Sequence, residues 1–315
     1  MALLEVQHLK KYFSVAAGIN HAVDDISMKI EKGRTMGVVG ESGCGKSTFG
    51  RTIIRLLDAT DGKILLNGRD ITNIKGKELR ELRQHMQIVF QDPYSSINPR
   101  MSVYSTIKEP LVESHKFTRA EIDERTEELM DIVGIEDRLR MAYPHEMDGG
   151  RRQRVGIARA IALNPEFIMC DEPVSALDVS IQAQVLNLLM DLQEKLELTY
   201  MFVTHDLSVV RHISDDISVM YLGQLVETSP SRELFRRPLH PYTKALLSAV
   251  PSPNIDKPMK RIILKGEITS AINPGPGCRF APRCPYATEA CSEPQELREI
   301  EKNHFISCCR CEEIN

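Results

Sequence analysis

The chain has 315 residues, 42% hydrophobic and 27% charged, an ordinary globular balance with enough length to bury a large core without covalent staples. Lys and Arg number 40 against 44 Asp and Glu, a net charge of −4, so no overall basic field draws the protein to nucleic acid or anionic lipid. Trp is absent and aromatic residues make up only 5%, poor material for stacking nucleic-acid bases.

Taken in chain order, Val23, Ile26, Met28 and Ile30 fall roughly every second residue, and Lys63–Leu66 runs into an Asn67-Gly68 turn; both predict antiparallel strands. Thr35–Val39 is a short apolar run ending at Gly40, as a buried strand would, and a helix is expected over Phe49–Leu57. Met86–Phe90, Phe167–Cys170 and Tyr200–Val203 are further buried-strand candidates. Ile122, Thr126, Leu129, Met130 and Val133 keep helical spacing up to Gly134, and Ile181, Val185, Leu188, Leu189, Leu192 and Leu196 do so more strongly. Strands alternating with helices predict a parallel sheet covered on both faces. The N-terminus lacks the basic and apolar regions of a secretory signal, and no run approaches the roughly 18 apolar residues of a membrane span, so a cytosolic setting is expected.

Composition shifts near residues 230–250. Six of eight cysteines lie in the last 38 residues, and eleven of seventeen prolines lie at or after Pro230. We therefore expect one domain over 1–230 and an extension over 231–315 carrying a cysteine cluster between residues 278 and 311.

The sharpest motif is Gly40-Glu41-Ser42-Gly43-Cys44-Gly45-Lys46-Ser47-Thr48, which fits G-x-x-x-x-G-K-[ST] between a buried strand and a helix. Glycines let backbone N–H groups curl around phosphate oxygens, and the following helix points its positive end at them. Lys46 is expected on the β- and γ-phosphates and the Ser47 hydroxyl on Mg²⁺. An acid should close another buried strand: Asp171 suits the outer shell of Mg²⁺, and Glu172 is placed to polarise the attacking water. Cys170 reads as a small core hydrophobe, and the Cys44 side chain is assigned no chemistry.

With these two motifs in order, five further stretches make the chain resemble the ATP-binding subunits of ABC transporters. Gln91 matches the Q-loop glutamine, which in that family touches Mg²⁺ or water and faces the membrane partner. Asp148-Gly149-Gly150-Arg151 matches the signature segment, Ser175-Ala176-Leu177-Asp178 the D-loop, His205 the switch histidine, and Phe13 the aromatic that stacks on adenine. Phe90–Arg100 and Arg237–Leu247 are similar to stretches of the dipeptide/oligopeptide (Dpp/Opp, peptide/nickel) importers. The resemblance implies an α/β P-loop NTPase fold with an antiparallel β subdomain, a helical signature subdomain at about 92–160 and a Cys-rich C-terminal extension. It implies an ATPase with ATP and Mg²⁺ as ligands, powering import of di- or oligopeptides, with a nickel or other small-solute importer or a soluble redox-regulated ATPase as alternatives. Implied partners are a second ATPase subunit, two transmembrane permeases and an extracytoplasmic substrate-binding protein, with no nucleic acid. The chain would then sit peripherally on the cytoplasmic face of the membrane.

One departure stands out: the signature normally has Ser where this chain has Asp148 and Gln where it has Arg151. In the family this segment faces the γ-phosphate held by the opposite subunit. A carboxylate ~4 Å from a phosphate charge at an effective dielectric near 20 costs about 4 kcal/mol. Either the partner's site is weakened, which favours a heterodimer, or Asp148 turns inward to cap the next helix.

Cys278, Cys284, Cys291 and Cys308 form a four-thiolate set, with Cys309 and Cys311 behind it as substitutes for the fourth position. Dense thiols in a reducing compartment point to metal rather than disulfides. Four sulfurs fit zinc or an iron–sulfur cluster alike; the resemblance to peptide importers implies a [4Fe–4S] cluster.

Overall fold

Strand β1 (Ala2–Val15) buries Leu4, Val6 and Leu9 against Val23, Ile26 and Met28 of β2 (Gly18–Glu31), its antiparallel neighbour. The register shifts between Val6 and Leu9, where His8 and Asp25 both take left-handed backbone conformations and their side chains meet at 2.9 Å. The computed structural model describes residues 2–250, 261–264, 266 and 270–315. Its chain forms two units, one of residues up to Asn73 and from Phe202 onward, the other spanning Ile74–Met201.

In the first unit β3 (Thr35–Val39) is buried at every position and runs into the loop before α1 (Lys46–Ile53). The helix starts and stops earlier than the expected Phe49–Leu57. Gly45 turns the chain straight into Lys46, and Arg55 ends the helix in a left-handed conformation, its buried guanidinium on the carbonyl of Ile71 and on Asp58. Strands β4 (Asp61–Leu66) and β5 (Arg69–Asp70) join through Asn67-Gly68, both at positive φ as a two-residue hairpin turn requires, and complete a sheet ordered β2-β1-β4-β5.

The second unit contains α2 (Gly76–His85), β6 (Met86–Val89), α3 (Pro93–Ser96), α4 (Val103–Ser114), α5 (Arg119–Ile132), α6 (Gly149–Ile161), β7 (Phe167–Asp171) and α7 (Val179–Leu196). β6 and β7 pair in parallel, Met86 opposite Phe167 and Val89 opposite Cys170. Helix α5 starts at a reciprocal cap, Thr118 accepting from the Glu121 N–H while Glu121 accepts from that of Thr118, and buries Ile122, Thr126, Leu129 and Met130. Helix α7 buries Val185, Leu189 and Leu192 of the expected stripe, leaves Ile181, Leu188 and Leu196 half-buried, and buries Leu186 beside them.

Strand β8 (Thr199–Thr204) carries the chain back to the first unit, which continues with α8 (Leu207–Ile213), β9 (Asp216–Tyr221), β10 (Gln224–Pro230), α9 (Ser231–Arg236), α10 (Pro241–Ser248), β11 (Arg298–Glu301) and β12 (His304–Ile306). The sheet here is mixed rather than wholly parallel, in the order β11-β12-β10-β9-β3. β3 and β9 are parallel, but Leu222-Gly223 turns β9 directly into β10, far too short a connection for a parallel crossover. The C-terminal residues extend this same sheet, Glu227 of β10 standing opposite Ile306 of β12. Among the described residues no helix is long and apolar enough to cross a membrane.

Candidate active site

Two glycines shape the phosphate loop. A Cβ on Gly40 would lie 2.1 Å from the carbonyl oxygen of Met220, and one on Gly45 would lie 2.0 Å from that of Ala22; both residues also hold positive φ. Only glycine lets the loop pass so close to the neighbouring backbone. Within it Ser42 and Gly43 are exposed, Ser47 and Thr48 half-buried, and Cys44 buried. Burial pushes the Cys44 thiol up despite the nearby Lys46. Lys46 is itself buried and donates to the carbonyls of Gly40 and Glu41, each at 2.9 Å, bracing the loop with its own cation.

The loop has outside supports that sequence reasoning missed. The Glu41 N–H donates to the hydroxyl of Tyr242 on α10 at 2.9 Å, and the Glu41 carboxylate receives both arms of Arg283 at 2.8 and 3.1 Å. Nearby, Phe13 on β1 lies half-buried with the Lys11 ammonium 4.9 Å from its ring centre. The preceding Tyr12 stacks on His21 and donates to Asp24, which also pairs with Arg279. Although burial opposes it, the Tyr12 hydroxyl and the Arg279 guanidinium hold the Asp24 carboxyl below the usual range. A sequence signal existed: Arg279 follows Cys278 and Arg283 precedes Cys284, one cation ahead of a short 3-10 turn and one at its end. His205 is exposed between β8 and α8, and Asp206 caps α8 by accepting the Ser208 N–H at 2.7 Å.

In the second unit Asp171 is buried at the end of β7, and Glu172 follows in a left-handed conformation at φ 48°. A non-glycine residue held there is a strained arrangement of the kind found at functional sites. Gln91 Nε2 donates to Glu172 Oε2 at 3.0 Å, so the predicted Q-loop and hydrolytic side chains meet across 81 positions of sequence. Cys170, fully buried, sits in the core as expected, its thiol pushed up by burial.

Asp178 caps α7, accepting the Ile181 N–H at 3.0 Å and the Ser180 hydroxyl at 2.7 Å; these bonds, the backbone one foremost, keep its carboxyl below the usual range. Asp148 likewise caps α6, accepting the Arg151 N–H at 2.8 Å and the Arg151 guanidinium at 3.2 Å. Arg151 also reaches Glu136 at 3.2 Å. The inward-turned alternative is the one observed. Gly149 and Gly150 face Leu177 and Ile181, and a Cβ on Gly150 would come within 2.4 Å of the Ile181 side chain.

The cysteines gather without closing. The Cys278 N–H donates to the Cys291 carbonyl at 2.8 Å, and the Cys291 sulfur lies 3.9 Å from that of Cys309. Burial pushes the Cys308 thiol up to about 11, and burial then the neighbouring thiols raise Cys278 and Cys284. Cys311 is buried with Leu239 and Ile306, a cluster against which Cys308 also packs. Contrary to the expected set Cys278, Cys284, Cys291 and Cys308, no group of three or more His, Cys, Asp or Glu among the described residues is placed to hold a metal ion. The donor chemistry nevertheless fits a soft metal group: all eight cysteines are free, and sulfur dominates the segment.

Residues 23–175 match the family model for the ABC transporter, and residues 226–291 that for the oligopeptide/dipeptide transporter C-terminal region. The oligopeptide transport ATP-binding protein AppF of Bacillus subtilis is 51% identical over 97% of this chain and 96% of its own length. The corresponding OppF of Salmonella typhimurium is 47% identical over 99% of this chain and 97% of its own. Among solved structures, the ATP-binding cassette MJ0796, described as a dimer in a post-hydrolysis state bound to ADP and Pi, superposes with a TM-score of 0.66 at 27% identity, covering 73% of this chain and 99% of that one. An ABC ATPase fold, a phosphate loop and near-full-length agreement with oligopeptide transport ATP-binding proteins converge: the chain belongs to the ABC transporter ATP-binding proteins of the oligopeptide/dipeptide class.

Proposed function

We propose that this chain is the ATP-hydrolysing subunit of a peptide importer, held at the cytoplasmic face of the membrane by permease partners and paired with a second ATPase subunit. The observation that carries the hydrolytic reading is the hydrogen bond from Gln91 to Glu172 at 3.0 Å, which aims an amide at the carboxylate that would take up the water proton. Lys46 would leave the carbonyls of Gly40 and Glu41 for the β- and γ-phosphates. The backbone of Gly40, Ser42, Gly43, Cys44 and Gly45, with Thr48, would wrap the phosphates. Ser47, Gln91 and Asp171 would hold Mg²⁺, which spreads and neutralises charge on the transferred phosphoryl group. Phe13 would stack on adenine, His205 would hold the γ-phosphate end, and Asp178 would order the D-loop.

The helical subdomain at about 92–160 would present Asp148, Gly149 and Gly150 to the nucleotide of the partner subunit. The pairing of Asp148 with Arg151 supports a softened repulsion there rather than a bare carboxylate facing phosphate. In the extension over 231–315, Cys278, Cys284, Cys291 and one of Cys308, Cys309 or Cys311 would hold a thiolate-bound metal group, of [4Fe–4S] type by family resemblance; such a group supplies redox or structural chemistry to its host. Support lies in the all-sulfur donor set and the contact between Cys291 and Cys309.

Replacing the proton acceptor tests the ATPase reading. In the assembled transporter Glu172→Gln should keep nucleotide binding and lower ATP turnover by about a hundredfold or more. Undiminished turnover would remove Glu172 from the mechanism.

A further inference from the structure

We propose that Arg283 is a positioning residue for the nucleotide phosphates, holding the Glu41 carboxylate of the phosphate loop from a seat on the cysteine-rich segment. The inference rests on the nucleotide reading of that loop and adds a second chain segment to it.

A phosphate loop works by turning backbone N–H groups toward anions. Glu41, its second residue, carries a charge of the wrong sign for that task. Both its oxygens are engaged by Arg283, at 2.8 and 3.1 Å, in the two-pronged geometry that a guanidinium offers a carboxylate. The Arg283 side chain is only 9% exposed and that of Glu41 25%, so solvent screens the pair weakly. Arg283 also lies over the ring of Tyr221 at 5.9 Å. Tyr221 packs edge-on against Tyr242, whose hydroxyl takes the Glu41 N–H. Side chain and backbone of one loop residue are thus fixed together.

The segment makes a second connection of the same kind. Arg279, next to Cys278, bonds the Leu222 carbonyl and Asp24, and Asp24 takes the hydroxyl of Tyr12, the neighbour of Phe13. Both arginines therefore join the cysteine segment to acids beside the nucleotide-binding residues. Linkage makes the effect reciprocal: what the segment does for nucleotide, nucleotide must do for the segment.

The full chain would be titrated with a fluorescent ATP analogue and Mg²⁺, alongside Arg283→Ala, Arg283→Lys and the double variant Arg283→Ala with Glu41→Gln. An unpaired Glu41 carboxylate should weaken binding about tenfold in Arg283→Ala, with Arg283→Lys in between and the double variant back within about threefold of the parent. Hydrogen exchange over residues 278–291 should slow when the analogue binds the parent and stay unchanged in Arg283→Ala; this arm, with Arg283→Lys, decides the matter if the alanine variant folds poorly. Affinity in Arg283→Ala within twofold of the parent, no recovery in the double variant, or exchange in the parent indifferent to the analogue would each overturn the proposal. A parent that takes up no analogue at all would instead overturn the nucleotide reading.

Discussion

Asp148 shows how a single residue can be legible in identity and illegible in role. Its place in the motif exposes the departure from Ser, but whether the carboxylate faces a phosphate or its own helix depends on a side-chain rotation of a few ångströms. The structure has it accepting the Arg151 N–H at 2.8 Å and pairing with the Arg151 guanidinium. Asp and Ser are comparable helix caps, so Asp148→Ser should leave stability within about 0.5 kcal/mol while removing one negative charge. In the assembled transporter this substitution should raise ATP turnover, by up to about thirtyfold if half of that repulsion, about 2 kcal/mol, survives pairing with Arg151. Unchanged turnover would mean that the capped carboxylate exerts no force on the partner's site.

At the scale of elements, a buried carboxylate joins β10, β12 and the approach to α10. Glu227 is fully buried and accepts the N–H groups of Leu239 at 2.7 Å and His240 at 2.9 Å, and bonds His304 Nε2 at 2.8 Å. Glu227→Ala would leave those groups without an acceptor and should cost about 3–5 kcal/mol, measured by urea denaturation. His240 in turn caps α10, its Nδ1 accepting the Tyr242 N–H at 3.1 Å. Burial, against the pull of Glu227, lowers the pKa of His240 from 6.5 to about 4. The unfolded chain therefore takes up the proton first. The stability that His240 contributes is complete above pH 6.5 and is lost as pH falls toward 4, about 3 kcal/mol in all. His240→Asn keeps a capping acceptor without the titration, and its stability should vary less across that interval in pH-dependent melts.

For the whole molecule, the thiols supply the clearest condition-dependent expectation. Burial holds Cys308 protonated up to about 11, and a metal must displace such protons to bind. Chain purified without oxygen should carry iron and sulfide, lose them on acidification, and lose most of both in Cys284→Ser and Cys291→Ser, by direct iron and sulfide assay. Zinc without sulfide would redirect the assignment to a structural zinc site.

The local signals were well written in the amino acids. A phosphate loop, an acid pair after an apolar run and the helical stripes of α5 and α7 are short-range patterns, set by glycine's conformational freedom and by the periods of helix and strand. The return of β10 beside β9 was not legible, because Leu222-Gly223 gives a turn but no register. Nor was the service of Arg283 to Glu41, since an arginine 242 positions away finds its carboxylate only once β9, β10 and α10 are packed. Sequence by itself determined which chemical groups this protein has and where its loops can bend, because those properties belong to neighbouring residues. Tertiary structure alone decided which charges meet, because pairing across long separations is fixed by the burial of shared apolar faces and not by anything local to either partner.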